Sequence, residues 1–295
     1  MQTAKRNLIL FSIVSLSAGF IGIGLDRLSP PPDPMQGLGA LVWLTAPLLS
    51  VLILRWRGGD GWADFGLRPR FKGNGRWYLF ALVTPAVVMG LLSVVGAGLG
   101  VLDLSALRGQ VWSAVLGLMG LGFVGAMVKN IFEEFAWRGY LTPRFEAIGL
   151  HPFMNSLLTG FIWALWHLPY YLYFLDRATL DAHTSLSIPA FMGLALLTLP
   201  FHALAYGELR LLTGSVWPLW LMHNVENAIA LPLVSEGFVK AEGLLAEIVF
   251  SPGSAGLLHA LVMGVIGLWL YRRRMAADSA ALDPAREPAL GSSAS

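Results

Sequence analysis

Apolar residues run along this chain in stretches as long as a bilayer is thick. A helix needs about 20 mostly apolar residues to cross the hydrocarbon core. Stretches that suit this fall at about 8–25, 36–54, 77–99, 111–137, 153–175, 187–207, 215–234 and 254–271. Turn-forming residues separate them: Pro30, Pro31, Pro32 and Pro34 after the first, and Gly58, Gly59, Asp60 and Gly61 after the second. The pattern predicts an all-α polytopic membrane protein of about eight transmembrane helices, forming one domain over residues 1–274. No soluble domain fits between the spans, and no internal repeat stands out. Met275–Ser295, small, polar and proline-containing, reads as a disordered cytoplasmic tail.

Composition fits a lipid solvent. The chain is 56% hydrophobic and 13% charged, against about 25% charged in soluble domains. A net charge of only +2 gives no general attraction for nucleic acid, so none is expected as a partner. The absence of cysteine excludes disulfides, thiolate catalysis and cysteine-based zinc sites. Lys5 and Arg6 before the first apolar stretch resemble a signal peptide, but no small-residue cleavage site follows, which favours an uncleaved first helix. The lysines and arginines also orient the bundle. With the amino terminus inside, outer loops hold only Arg27, Arg108, Arg177 and Lys240 of the 20 cations, Lys129 lies within a span, and the rest are cytoplasmic. That asymmetry predicts an even number of spans and two cytoplasmic termini.

Against this background, polar residues at membrane depth are conspicuous, because each charge there costs a few kcal/mol or more. The fourth span ends Lys129-Asn130-Ile131-Phe132-Glu133-Glu134-Phe135-Ala136-Trp137-Arg138. Glu133 and Glu134 are about 100° apart on a helix and face different ways. Glu134 precedes Arg138 by four residues, the favourable order for a helical ion pair, which leaves Glu133 free for chemistry. Lys129, four residues before Glu133, is also within its reach. The plainer alternative is a helix end whose charges snorkel into the headgroups.

The fifth span carries His167 among aromatics, a setting where histidine is more often a hydrogen-bonded packing residue. The seventh reads Thr213-Gly214-Ser215-Val216-Trp217-Pro218 and continues to His223, Glu226 and Asn227. His223 and Asn227 stack on one helical face, suited either to interhelical hydrogen bonding or to catalysis. Taken together, a carboxylate, two imidazoles and an amide form a hydrolytic set. The carboxylate and one histidine hold and deprotonate a water, and the other histidine and the amide stabilise an oxyanion.

The ordered motifs Glu-Glu-x-x-x-Arg, aromatic-x-x-x-His, and His-x-x-x-Asn after Thr-Gly-Ser-x-Trp-Pro resemble the CAAX protease and bacteriocin-processing (CPBP, or ABI) family of intramembrane peptidases. The resemblance covers about Asn130 to Ala230, within a peptidase core of about 111–234. It implies Glu133 as the catalytic glutamate, His167 as its partner in activating water, His223 and Asn227 as the oxyanion pair, and Glu134 and Arg138 as a supporting ion pair. Trp163 stands where the family usually has Phe. His151, His183, His202 and His259 match no motif.

Two chemistries remain open. Zn²⁺ held by Glu133, His167 and His223 would leave a fourth position for water; a metal-free glutamate mechanism needs no cofactor. The i, i+4 pair of His223 and Asn227 suits an oxyanion clamp, and Asn is a poor zinc ligand, which favours the metal-free route. The expected partners are the lipid bilayer and a peptide or protein substrate, lipid-modified or not, and the expected location is the plasma (inner) membrane of a bacterium. A proton-coupled transporter and a non-catalytic binding or immunity protein on the same scaffold are the alternatives.

Overall fold

The computed structural model describes residues 2–109 and 111–281. Among the described residues, eight helices overlap the expected stretches: α1 (Gln2–Leu28), α2 (Leu38–Trp56), α3 (Phe71–Gly98), α4 (Trp112–Ala136), with α5 (Thr142–Ala147) prolonging α4, α6 (Pro152–Trp166), α8 (Ile188–Thr213), α9 (Trp217–Ala230) and α11 (Leu257–Ala281). Short helices α7 (Arg177–His183) and α10 (Leu244–Phe250) lie in the loops. Among the described residues, five helical segments, 2–28, 38–56, 71–98, 112–147 and 188–213, are long and apolar enough to cross a bilayer. One addition to the all-helical expectation is a two-residue antiparallel pair, β1 (Leu102–Asp103) and β2 (Lys240–Ala241), joining two loops. Helix α11 continues to Ala281, beyond the point at 275 where the tail was expected to begin; residues 282–295 lie outside the described residues.

Packing is inside-out relative to a soluble protein. Leu79, Val87, Leu91 and Val94 on α3 are exposed, while Asn130, Glu133, Glu134, Arg138, Glu208 and Glu226 are buried. Exposed apolar faces of this extent suit lipid, and the interior then has to satisfy its own polar groups.

Two prolines add to that task by freeing carbonyls that buried donors then claim. Pro47 in α2 has no N–H to offer Trp43, four residues earlier. The Trp43 carbonyl instead accepts from the Trp166 indole N–H at 3.2 Å. The Trp43 indole in turn donates to the Trp166 carbonyl at 2.8 Å, and the two rings stack with centroids 4.3 Å apart. This reciprocal bond fixes the end of α6, where the next residue is His167. Pro143 likewise leaves the Gly139 carbonyl unclaimed, and buried Arg55 of α2 donates to it at 2.8 Å.

Helices α6 and α8 meet at Gly160, where a Cβ would come within 2.4 Å of the Pro200 backbone. Only glycine allows the two helices so close. Helix α8 ends on Gly214 in the left-handed conformation (φ 63°), a C-cap that suits glycine, and the chain reverses at once into α9.

Candidate active site

Each of the three helices that carry motif residues gives way to a π-helical turn at or just beyond them. Helix α4 passes into a π-helical turn at Trp137–Leu141, α6 is followed by one at Tyr170–Phe174, and α9 by one at Leu231–Ser235. The 153–175 and 215–234 stretches are therefore not uninterrupted α-helices, whereas α4 runs unbroken over Trp112–Ala136. Pro169 accounts for the second break, since proline removes a donor and disfavours helix before it. His167 thus sits at the C-cap of α6 rather than inside a helix. Single π turns often accompany functional sites.

Helix α4 presents both carboxylates to the interior. Glu133 is 2% exposed and Glu134 fully buried. The Glu133 carboxylate is covered on both oxygens: Oε1 accepts from the Lys129 ammonium, and Oε2 from the Trp163 indole N–H at 2.8 Å. Glu134 pairs with Arg138, Nη1 donating to Oε1 at 3.1 Å, as the i, i+4 spacing predicts. The same Oε1 lies 2.7 Å from His223 Nδ1. Arg138 also packs over the Trp163 ring, 4.2 Å from its centroid.

The histidines are oriented through Nδ1. His167 Nδ1 is 2.8 Å from the Trp163 carbonyl, which only accepts, so Nδ1 carries the proton and Nε2 keeps its lone pair. His223 Nδ1 faces Glu134 in the same way. Asn227 Nδ2 donates to Asn130 Oδ1 at 3.3 Å, leaving its second N–H for another acceptor.

A cavity of about 410 Å³ opens beside these groups, lined among others by Lys129, Trp163, His167, His223, Glu226 and Asn227. Glu133 stands immediately behind Lys129 and Trp163, bonded to both. The structure therefore brings the predicted set together around one space, with Lys129 as the cover over the carboxylate.

Among the described residues, Glu133, His167 and His223 do not converge as a group of metal ligands in this structure. Both Glu133 oxygens already accept N–H bonds. Among the described residues, three potential ligand groups converge within 4.8 Å of one another only at His202, Glu226 and His259.

Three participants escape a reading by motif. Asn130 holds Asn227; its signal was its spacing, since Asn130, Glu134 and Arg138 recur every four residues along one face of α4. The bond from Glu134 to His223 joins helices distant in sequence and had no local signal. The buried group of His202, Glu226 and His259 likewise comes from three separate helices. Of the other unmatched histidines, His151 caps α6 through Nδ1, and the side chain of His183 lies outside the described residues.

Comparison with known proteins agrees with the geometry. Residues 115–229 match the family model described as type II CAAX prenyl endopeptidase Rce1-like, a stretch that contains every motif residue from Glu133 to Asn227. This bears out the resemblance to the CPBP family. No curated protein matches the chain.

Proposed function

On the premise of a Rce1-like core across residues 115–229, we propose that this protein is an intramembrane endopeptidase that uses a glutamate-activated water and no catalytic metal. Eight membrane spans with both termini cytoplasmic are part of the same reading, supported by the cation asymmetry of the loops.

The observation that carries it is the grouping of His167, His223 and Asn227 along one cavity, with Glu133 directly behind Lys129 and Trp163 at its wall. With the Lys129 ammonium swung aside, a water beside Glu133 donates one hydrogen to the carboxylate and the other to the bare Nε2 of His167. Its oxygen lone pairs then face a scissile carbonyl in the cavity. Glu133 takes the proton as hydroxide adds to the carbonyl carbon, and returns it to the departing amine as the C–N bond breaks. The oxyanion accepts from the second N–H of Asn227 and from Nε2 of His223. His223 can donate there only as the imidazolium, because its Nδ1 proton is directed at Glu134.

The substrate of this reading is a membrane-associated peptide or protein segment. The test is cleavage in proteoliposomes, using a membrane-anchored CAAX-type peptide with and without its prenyl group, with products identified by mass spectrometry. Wild type should cleave and Glu133→Gln should not. Equal cleavage by the two proteins would overturn the assignment of Glu133, and discrimination between the two peptides would decide whether the lipid is recognised.

A further inference from the structure

Beside the peptidase cavity, but outside every motif, α8, α9 and α11 bring three potential metal ligands together. His202 of α8 and His259 of α11 are 1% and 0% exposed, and Glu226 of α9 is 5% exposed. Each offers one ligand atom, and these atoms all lie within 4.8 Å of one another. The two imidazole rings meet edge to face with centroids 5.0 Å apart.

How these groups are bonded argues against simple packing. His202 Nδ1 is 3.2 Å from the Thr198 carbonyl, and His259 Nδ1 is 2.7 Å from the Pro252 carbonyl. Carbonyls only accept, so both Nδ1 atoms carry protons, and in the neutral imidazole Nε2 is then the nitrogen with the lone pair. Those two Nε2 atoms are buried without a hydrogen-bond partner among the described residues. Leaving a buried polar atom unpaired is destabilising, and here two such atoms face one carboxylate. The Glu226 carboxylate is itself oriented from behind: Tyr206 donates its hydroxyl to Oε2 at 2.6 Å, which leaves Oε1 for the histidines.

The separation between Glu226 Oε1 and His202 Nε2 is 3.7 Å. That is too long for a hydrogen bond, as an imidazolium–carboxylate pair would make. It is close to the separation of about 3.3 Å expected between two ligands on a tetrahedral ion with bonds of about 2.0–2.1 Å. Histidines that donate Nδ1–H to a carbonyl and keep Nε2 for the metal, together with a carboxylate held by a tyrosine, form the usual outer support of a metal site.

We propose that His202, Glu226 and His259 form a binding site for a divalent transition-series cation of the Zn²⁺ type. The site lies apart from the hydrolytic residues and leaves one coordination position open. Glu226 also lines the peptidase cavity and adjoins Asn227, so the ion would tie α8 and α11 to the helix that presents the oxyanion donors. The metal's role is to lock three helices together; the water chemistry stays with Glu133.

The test is Co²⁺ and Zn²⁺ titration of the full-length protein, purified in detergent and stripped with a chelator. It is followed by the visible d–d spectrum of bound Co²⁺, by elemental analysis, and by the thermal unfolding midpoint with and without metal. Wild type should bind one Co²⁺ per chain with the intense bands of a tetrahedral site, and should unfold at higher temperature when loaded. His167→Ala, which removes a residue of the hydrolytic set, should bind the metal unchanged. His259→Gln and Glu226→Gln, two milder substitutions on separate helices, should each weaken binding at least about 100-fold, since even loss of an outer support costs about 10- to 100-fold. The proposal is overturned if wild type takes up well under one ion per chain, or if His259→Gln and Glu226→Gln both bind as wild type does. It is also overturned if the metal is lost with His167→Ala instead, which would place it at the hydrolytic residues. All three readouts are independent of peptidase activity, so failure of the peptidase reading and failure of the metal site are separable.

Discussion

The Glu134 carboxylate on α4 and the His223 imidazole on α9 meet at 2.7 Å across 89 positions of sequence. The same oxygen accepts from Arg138. Glu134 is thus more than the counter-ion of a nearby arginine: it fixes the ring of a residue that faces the cavity. A carboxylate behind a histidine sets which ring nitrogen is presented and where. The proposed mechanism accordingly gives the two adjacent glutamates of α4 different jobs, one beside the reacting water and one behind the oxyanion donor His223.

This division predicts different failures on substitution. Glu133→Gln should lower turnover by roughly 10²-fold or more, as loss of a general base does, while the unfolding midpoint changes little. Glu134→Gln should lower both turnover and thermal stability, because Arg138 and His223 lose a shared charged partner inside the bundle. Cleavage and thermal unfolding of the two purified variants check this. Full activity in Glu133→Gln with loss in a well-folded Glu134→Gln would show that the roles are exchanged.

Asn227 and Asn130 should behave as one unit. Asn227→Ala should reduce kcat by about 10²- to 10³-fold with little change in KM, the mark of a donor that matters mainly in the transition state. Asn130→Ala leaves that donor in place but unheld, so a smaller fall in kcat is expected. The double variant should be no worse than Asn227→Ala alone. Additive losses would mean that Asn130 acts independently of Asn227.

Lys129 covers Oε1 of Glu133, the carboxylate that the proposed mechanism uses as the base. Lys129→Met should therefore raise kcat while lowering the unfolding temperature, since a buried carboxylate loses its cation. A raised KM with unchanged kcat would instead assign Lys129 to substrate binding.

Membrane orientation is open to a direct check. Reporter fusions in the 57–70 loop, after Arg68, and at the carboxyl end should both read cytoplasmic. An external reading at either place removes the topology.

Much of this was legible from residues alone. The eight apolar stretches and the helical spacing of Glu134 and Arg138, and of His223 and Asn227, are local properties with a fixed period, and among the described residues a helix occupies the greater part of each stretch. The order of the three motifs pointed to one site, and His167, His223 and Asn227 line one cavity. What could not be read depends on contacts between distant segments. Nothing local to Trp43 announces that Pro47 frees its carbonyl for Trp166, and nothing near His259 announces Glu226 or His202. The π turns after α4, α6 and α9 have no signal of their own in the apolar pattern, since each falls at the end of a predicted stretch, where no long run follows to show a shifted face.

The short-range pairing of Glu134 with Arg138 bears on how the protein is made. A chain is synthesised and inserted from its amino end, so α4 enters the bilayer well before α9 and His223 exist. During that interval Glu134 has one partner available within its own helix, Arg138, a single turn away. The pair lets α4 enter lipid with its opposite charges matched, when unmatched charges there would cost several kcal/mol. Substituting Arg138 should accordingly be felt first as a failure of membrane insertion during biosynthesis, before any finished active site exists to be impaired.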